Sequence, residues 1–278
     1  MTESVQIHKP AELLASLDEL EPRVKSCSQV ALFLDFDGTI SPIVPSPSDA
    51  EIDPGIRGTL AGLAGRADFT ITIVSGRALA DVRERTGLNN AIYVGNHGLE
   101  IEANATRFRE PHAEALRREL RSLFLQLKLA LSETDGLEIE DKGLTLSVHF
   151  RRVSEHLQDW VRSVTLSTVS RSRSFDCQEG NMVLEIKPHI EWHKGYAVRW
   201  ILREVLPYSA LPIYIGGDAT DEDAYGVISG GITIKVGGSD DSRASYVLPD
   251  VQAVGQFLQW LNHSKPHASI ANSQRAGR

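Results

Sequence analysis

Cysteine is scarce: Cys27 and Cys177 are the two cysteines in 278 residues, and no CxxC spacing occurs. At most one bridge is available, so a disulfide framework does not hold this fold, and two reduced thiols of a cytosolic protein are the natural reading. Long apolar runs are also missing. None approaches the roughly 18 residues of a membrane span, and the longest candidate, around Val30–Phe36, fits a strand. The N-terminus MTESVQIHKPAELLASLDEL carries early acids and lacks the basic-then-apolar order of a secretory leader. Positive charge is short too, with 29 Lys and Arg against 37 Asp and Glu, a net charge of −8. That balance argues against a general nucleic-acid surface, so an anionic substrate must be drawn in by local cations. No internal repeat is visible. These absences describe a soluble, cytoplasmic chain with neither a membrane nor a nucleic-acid partner.

What is present is an ordinary globular composition, 41% hydrophobic and 24% charged. The length suits one large domain or two unequal ones. After Pro10, leucines at 13, 14, 17 and 20 predict an amphipathic helix. VALFLDFDGT reads as a buried strand stopping at Asp37-Gly38, followed by the Pro/Ser-rich loop SPIVPSPSDAEIDPG. A helix over about 56–66 leads to DFTITIVSGR, a β-branched strand with Ser75-Gly76 opening the next helix. AIYVGNHGLEIE is two short strands broken by Gly95-Asn96-His97-Gly98. From about Arg107 the rhythm changes: a long charged helix, a hairpin around Asp141-Lys142-Gly143, a second helix, and a hairpin around Glu179-Gly180-Asn181. This α+β unit of about 80 residues (107–188) interrupts a larger α/β protein. The α/β rhythm resumes with HKGYAVRWILREVL, LPIYIGGD, DEDAYGVI, GITIKVG and VQAVGQFLQWL. The predicted core is therefore 1–106 with 189–262, and 263–278 is expected to be a disordered tail.

Ligands of open parallel α/β sheets bind beyond the carboxyl ends of the strands. Four polar clusters fall there: Asp35-Phe36-Asp37-Gly38-Thr39, Ser75-Gly76-Arg77, Lys194-Gly195, and Gly216 through Asp223. Asp35 and Asp37, two apart, can face one cleft. One carboxylate can attack phosphorus, while the other protonates the leaving oxygen and later activates water. Two adjacent anions need a cation to coexist, which points to Mg2+ held by oxygen ligands. The plainer alternative is a solvated strand-end Asp-Gly turn. Ser75, Gly76 and the free N–H groups nearby would hold a phosphate oxygen, although a lone Ser before a helix is commonly an N-cap. Lys194 opens a helix, where a cation opposes the macrodipole unless an anion sits beside it. Asp218, Asp221, Glu222 and Asp223 either cap a helix or ligate the metal.

The order DxDGT, SGR, KG, GxDxTD resembles the four motifs of the haloacid-dehalogenase-like (HAD) superfamily. LFLDFDGTISPIV, VSGR, GNHGLE, HKG and GGDATDEDAY are most similar to the trehalose-6-phosphate phosphatase family, over about 32–261. The resemblance implies a Rossmann-like core with a parallel sheet, covered by an inserted α+β cap of the C2 type. It implies Asp35 as nucleophile and Asp37 as general acid and base. Mg2+ would be held by Asp35, the Asp37 carbonyl and an acid of the fourth motif, and the phosphoryl group by Ser75, Gly76 and Lys194. Arg77, Asn96, His97, Glu100, Lys142, His149, Arg151 and Glu185 are candidates for the sugar, structural pairing being the alternative for His149 and Glu185. A trehalose-6-phosphate synthase would be the pathway neighbour. One departure stands out: the family pattern reads Gly-Asp-Asp-x-Thr-Asp, and Gly217 replaces the first Asp. Ligation then falls on Asp218, Asp221 or both. A phosphatase of sucrose phosphate or a glycosylglycerate phosphate, or a non-catalytic sugar-phosphate-binding homologue, would share most of these residues.

Overall fold

The computed structural model describes residues 7–103, 106–238 and 240–265. The chain runs β1 (Ala11–Glu12), α1 (Leu17–Ser26), β2 (Val30–Asp35), α2 (Pro54–Ala64), β3 (Phe69–Val74), α3 (Leu79–Thr86), β4 (Ala91–Gly95), β5 (Glu100–Ala103) and β6 (Thr106–Arg109). It continues through α4 (Pro111–Ala115), α5 (Arg117–Ala130), β7 (Glu138–Asp141), β8 (Leu146–His149), α6 (Glu155–Val169), β9 (Phe175–Gly180) and β10 (Val183–Pro188). It closes with α7 (Lys194–Glu204), β11 (Leu211–Gly216), α8 (Glu222–Tyr225), β12 (Ile232–Val236), β13 (Tyr246–Leu248) and α9 (Val251–Ser264).

Two sheets result. The larger has the order β1-β13-β12-β11-β2-β3-β4-β5-β6. It is parallel from β1 to β4, and β5 and β6 extend it antiparallel. Both faces of its centre are buried, so β2 is apolar along its length instead of alternating. Leu32 and Leu34 pack with Ile71, Ile213 and residues of α2 and α9 on one side. Ala31 and Phe33 pack with Tyr214, Ala197 and Ile201 on the other. The period of two places Asp35 on the face of Phe33, hence beneath α7. Tyr214 is in register with Phe33, so it shares that face. Because β11, β2 and β3 are neighbours, their carboxyl ends bring three of the four motifs to one edge.

The smaller sheet, β7-β8-β10-β9, is antiparallel throughout. One face is covered by α5 and α6 through Leu120, Phe124, Leu146, Val148, Val161, Leu184 and Ile186. The alternating residues Glu140, Ser147, His149, Glu185 and Lys187 occupy the other face.

Several elements differ from expectation. The helix after Pro10 begins at Leu17, because Ala11 and Glu12 pair with Tyr246 and Val247 at the sheet edge. The helix after Ser75-Gly76 begins at Leu79 with Ala78 as its N-cap, so Ser75 lies in the preceding loop. The long charged helix is split at Leu116. Residues 106–109 pair with β5 in the large sheet, so the expected junction at 106/107 falls inside a strand. α9 extends through His263 and Ser264, where a tail was expected to start; the rest of that tail, 266–278, lies outside the described residues.

Candidate active site

The strand ends and the polar face of the smaller sheet line one cavity of about 830 Å³. Asp35, Asp37, Gly76, Arg77, Lys194 and Asp218 contribute from the larger sheet's edge. Lys142, His149, Arg151, Glu185 and Lys187 contribute from the insertion.

Its centre is a buried charge cluster. Lys194, 1% exposed, donates to Asp35 Oδ1 at 2.8 Å and to Asp221 Oδ1 at 2.7 Å. Burial disfavours the ammonium, but Asp221 and Asp35 more than offset that and raise its pKa. Burial pushes the Asp35 carboxyl well up; Lys194 opposes this, and repulsion from Asp221 adds to it. Thr39 Oγ1 reaches the other Asp35 oxygen at 3.5 Å. Asp221 is already committed: Tyr214 OH donates to Oδ1 at 2.7 Å and the Asp218 N–H to Oδ2 at 2.9 Å. The first-turn conflict of a cation at Lys194 is thus relieved by two carboxylates. Asp218 is exposed and lines the cavity. At Gly217 a Cβ would lie 2.8 Å from the Val236 carbonyl oxygen, so this loop path suits glycine. Among the described residues, no three His, Cys, Asp or Glu are grouped to hold a metal by themselves.

Asp37 faces the cavity but is gripped from behind. Arg77 donates from Nε to Oδ2 and from Nη2 to Oδ1, both at 2.8 Å. Arg77 therefore reads as a partner of Asp37, not as a sugar contact. Ser75 is fully buried and outside the cavity lining, and its Oγ accepts from the Arg77 N–H at 3.1 Å. Gly76 lies close against the His97 ring, which a Cβ at this position would meet.

Among the sugar candidates, Asn96 and Glu100 are turned away from the cavity. Asn96 Nδ2 donates to Glu100 at 2.8 Å and to the Lys142 carbonyl at 3.1 Å, and Thr145 Oγ1 donates to Asn96 Oδ1 at 2.6 Å. These bonds tie the GNHG turn to the insertion. His149 pairs with Glu140 at 3.2 Å, and Arg151 donates to the Asn181 carbonyl at 3.0 Å on the rim. Lys142 Nζ donates to the Gly76 carbonyl at 3.1 Å and lies 3.4 Å from Glu185. His97 has neither ring nitrogen hydrogen-bonded; its nearest carboxylate oxygen, on Glu185, is 3.5 Å away. Burial lowers the His97 pKa to about 4. Burial would raise Glu185, but Lys142 and His97 hold it well below the usual carboxylate range.

Tyr214, Thr145, Asp81, Glu140 and Lys187 escaped sequence reasoning. For Lys187 a signal existed, because the alternation of VLEIK puts it on the face of Glu185. Its pKa is lowered, mainly by burial.

This fold belongs to a known class. A haloacid dehalogenase-like hydrolase from Bacteroides thetaiotaomicron matches with a TM-score of 0.59 at 14% identity, over 84% of this chain and 99% of that one. The C-terminal domain of C. albicans trehalose-6-phosphate phosphatase matches with a TM-score of 0.73 at 20% identity, over 92% and 98% of the two chains. At these identities the likeness is one of fold. Residues 33–252 match the trehalose-phosphatase family model, and the chain belongs to that family. A trehalose-phosphate phosphatase of Mycobacterium tuberculosis is 34% identical over 84% of this chain and 61% of its own length. The present chain thus spans about three-fifths of the mycobacterial relatives it matches.

Proposed function

We propose that the chain hydrolyses trehalose 6-phosphate to trehalose and phosphate, in a Mg2+-dependent reaction through an aspartyl-phosphate on Asp35. The observation that carries this reading is Asp35 itself, a carboxylate buried at the end of a central strand. It is fixed by Lys194 at 2.8 Å and open to a cavity whose far wall is polar.

In this reading Asp35 attacks phosphorus while the bond to the sugar oxygen breaks. Asp37 gives its proton to that oxygen, then takes one from the water that hydrolyses the acyl phosphate. Lys194, which lines the cavity, holds a phosphoryl oxygen, while Ser75 lies behind the lining with its Oγ on the Arg77 N–H. Lys142, Glu185 and Lys187 meet the sugar, with the insertion that follows β6, up to residue 188, acting as a cap that excludes water. The donor set fits Mg2+: at this edge Asp35, Asp37, Asp218 and Asp221 outnumber Lys194 and Arg77, leaving negative charge uncompensated. This ion is commonly bound by one or two carboxylates, with water and substrate phosphate completing its shell. Asp35, the Asp37 carbonyl and Asp218 would hold it, since both Asp221 oxygens are taken. When bound, it would neutralise charge on the transferring phosphoryl group.

Phosphate release from a panel of sugar phosphates with Mg2+ tests the substrate. Trehalose 6-phosphate is expected to lead, and a preference for another sugar by more than about tenfold in kcat/KM, or about 1.4 kcal/mol, would refute that assignment. Binding without turnover would favour the non-catalytic reading that Gly217 motivates.

A further inference from the structure

We propose that Arg77 is a positioning residue that aims Asp37, and that its own placement is coupled to the insertion. This inference rests on the reading of Asp37 given above. Arg77 is buried, 9% exposed, and makes a fork to both Asp37 oxygens at 2.8 Å. Such a planar fork fixes the orientation of a carboxylate as well as its distance, which a single hydrogen bond does not. The guanidinium is itself held from several sides. Nη1 donates to Asp81 Oδ2 and to the Pro47 carbonyl, both at 3.0 Å, and the group stacks 5.3 Å from the Phe36 ring. Asp81 in turn is held by Arg85 at 2.8 Å. The adjoining Gly76 carbonyl accepts from Lys142 Nζ, so the segment carrying Arg77 touches the opposite wall of the cavity directly.

The consequence is geometric. Asp37 is half exposed on a Gly-containing turn, and its neighbours in that turn do not fix its side chain. As Asp35 bonds to phosphorus and the phosphorus–oxygen bond to the sugar breaks, the proton on Asp37 must reach the departing oxygen. Arg77 sets where that carboxyl group stands when it does.

The test compares trehalose 6-phosphate, whose alkoxide needs a proton, with p-nitrophenyl phosphate, whose phenolate leaves without one. R77Q is expected to lower kcat/KM, which reports phosphoryl transfer to Asp35 and not the later hydrolysis common to both esters, by about 100-fold on the sugar ester and by less than about tenfold on the aryl ester. R77K, which keeps the charge but not the fork, is expected to behave like R77Q. D81N retains the fork and removes its support, and is expected to show the same bias at smaller size. It also serves if R77Q does not fold. On the sugar ester the R77Q/D37N double variant is expected to be no slower than D37N alone. Equal losses of kcat/KM on both esters, or additive losses in the double variant, overturn the inference while leaving the phosphatase reading intact. Wild-type protein that releases phosphate from neither ester overturns both.

Discussion

Lys194 links stability to the proposed chemistry. It is buried between Asp35 and Asp221, and removing one partner of a buried ion cluster leaves charge that nothing compensates. Lys194→Ala is expected to destabilise the fold by about 3–5 kcal/mol, read as a lower urea midpoint, besides abolishing turnover. His97 and Glu185 predict the response to acid. Native His97 titrates near 4, below its unfolded value of about 6.5, so the unfolded chain binds more protons between those values. Stability is then lost as pH falls from about 6.5 towards 4. Glu185 is depressed below its unfolded value, so its contribution is present above that value and is lost on further acidification. Urea midpoints across this range should fall with pH, and H97Q should flatten the upper part of the fall. A midpoint that rises on acidification would contradict both placements.

Elements position these residues more than local sequence does. The apolar runs of β2, β3 and β11, and the breaks after them, were legible because buried parallel strands have a simple signature. β1 and β13 were not, since two or three residues carry no period: β1 forms by pairing with β13, and β13 by pairing with β12 and β1. Ser75-Gly76 looked like a helix start, whereas the structure spends Gly76 on a close approach to the His97 ring. That contact predicts a cost: Gly76→Ala should destabilise by about 1–3 kcal/mol and raise KM, measured by denaturation and kinetics. The same logic explains the unread partners. Tyr214 sits beneath Asp221, and Thr145 beside Asn96 across 49 positions, because sheet register and insertion packing bring them there. No spacing along the chain announces such pairs. The alternation in β10, by contrast, did carry the face shared by Glu185 and Lys187.

At the scale of the whole molecule, two sheets with different duties enclose one cavity. The parallel sheet contributes the acids and Lys194 at a shared edge, and the antiparallel sheet contributes a polar wall on the far side. Asn96, Lys142 and Thr145 bridge them, so the substrate must enter a space whose walls are already tied together. Among the described residues no helix is long and apolar enough to cross a membrane. The excess of carboxylates over cations at the parallel edge predicts that a chelator stops turnover and that added Mg2+ restores it. Full activity in the chelator would remove the metal from the scheme. The most direct measurement is phosphate and trehalose release from trehalose 6-phosphate by the wild-type protein and by Asp35→Asn, with thermal unfolding recorded for both. The account predicts equal amounts of both products from the wild type, and at least about a thousandfold loss in a variant that remains folded. A folded Asp35→Asn protein with near-native turnover would contradict it.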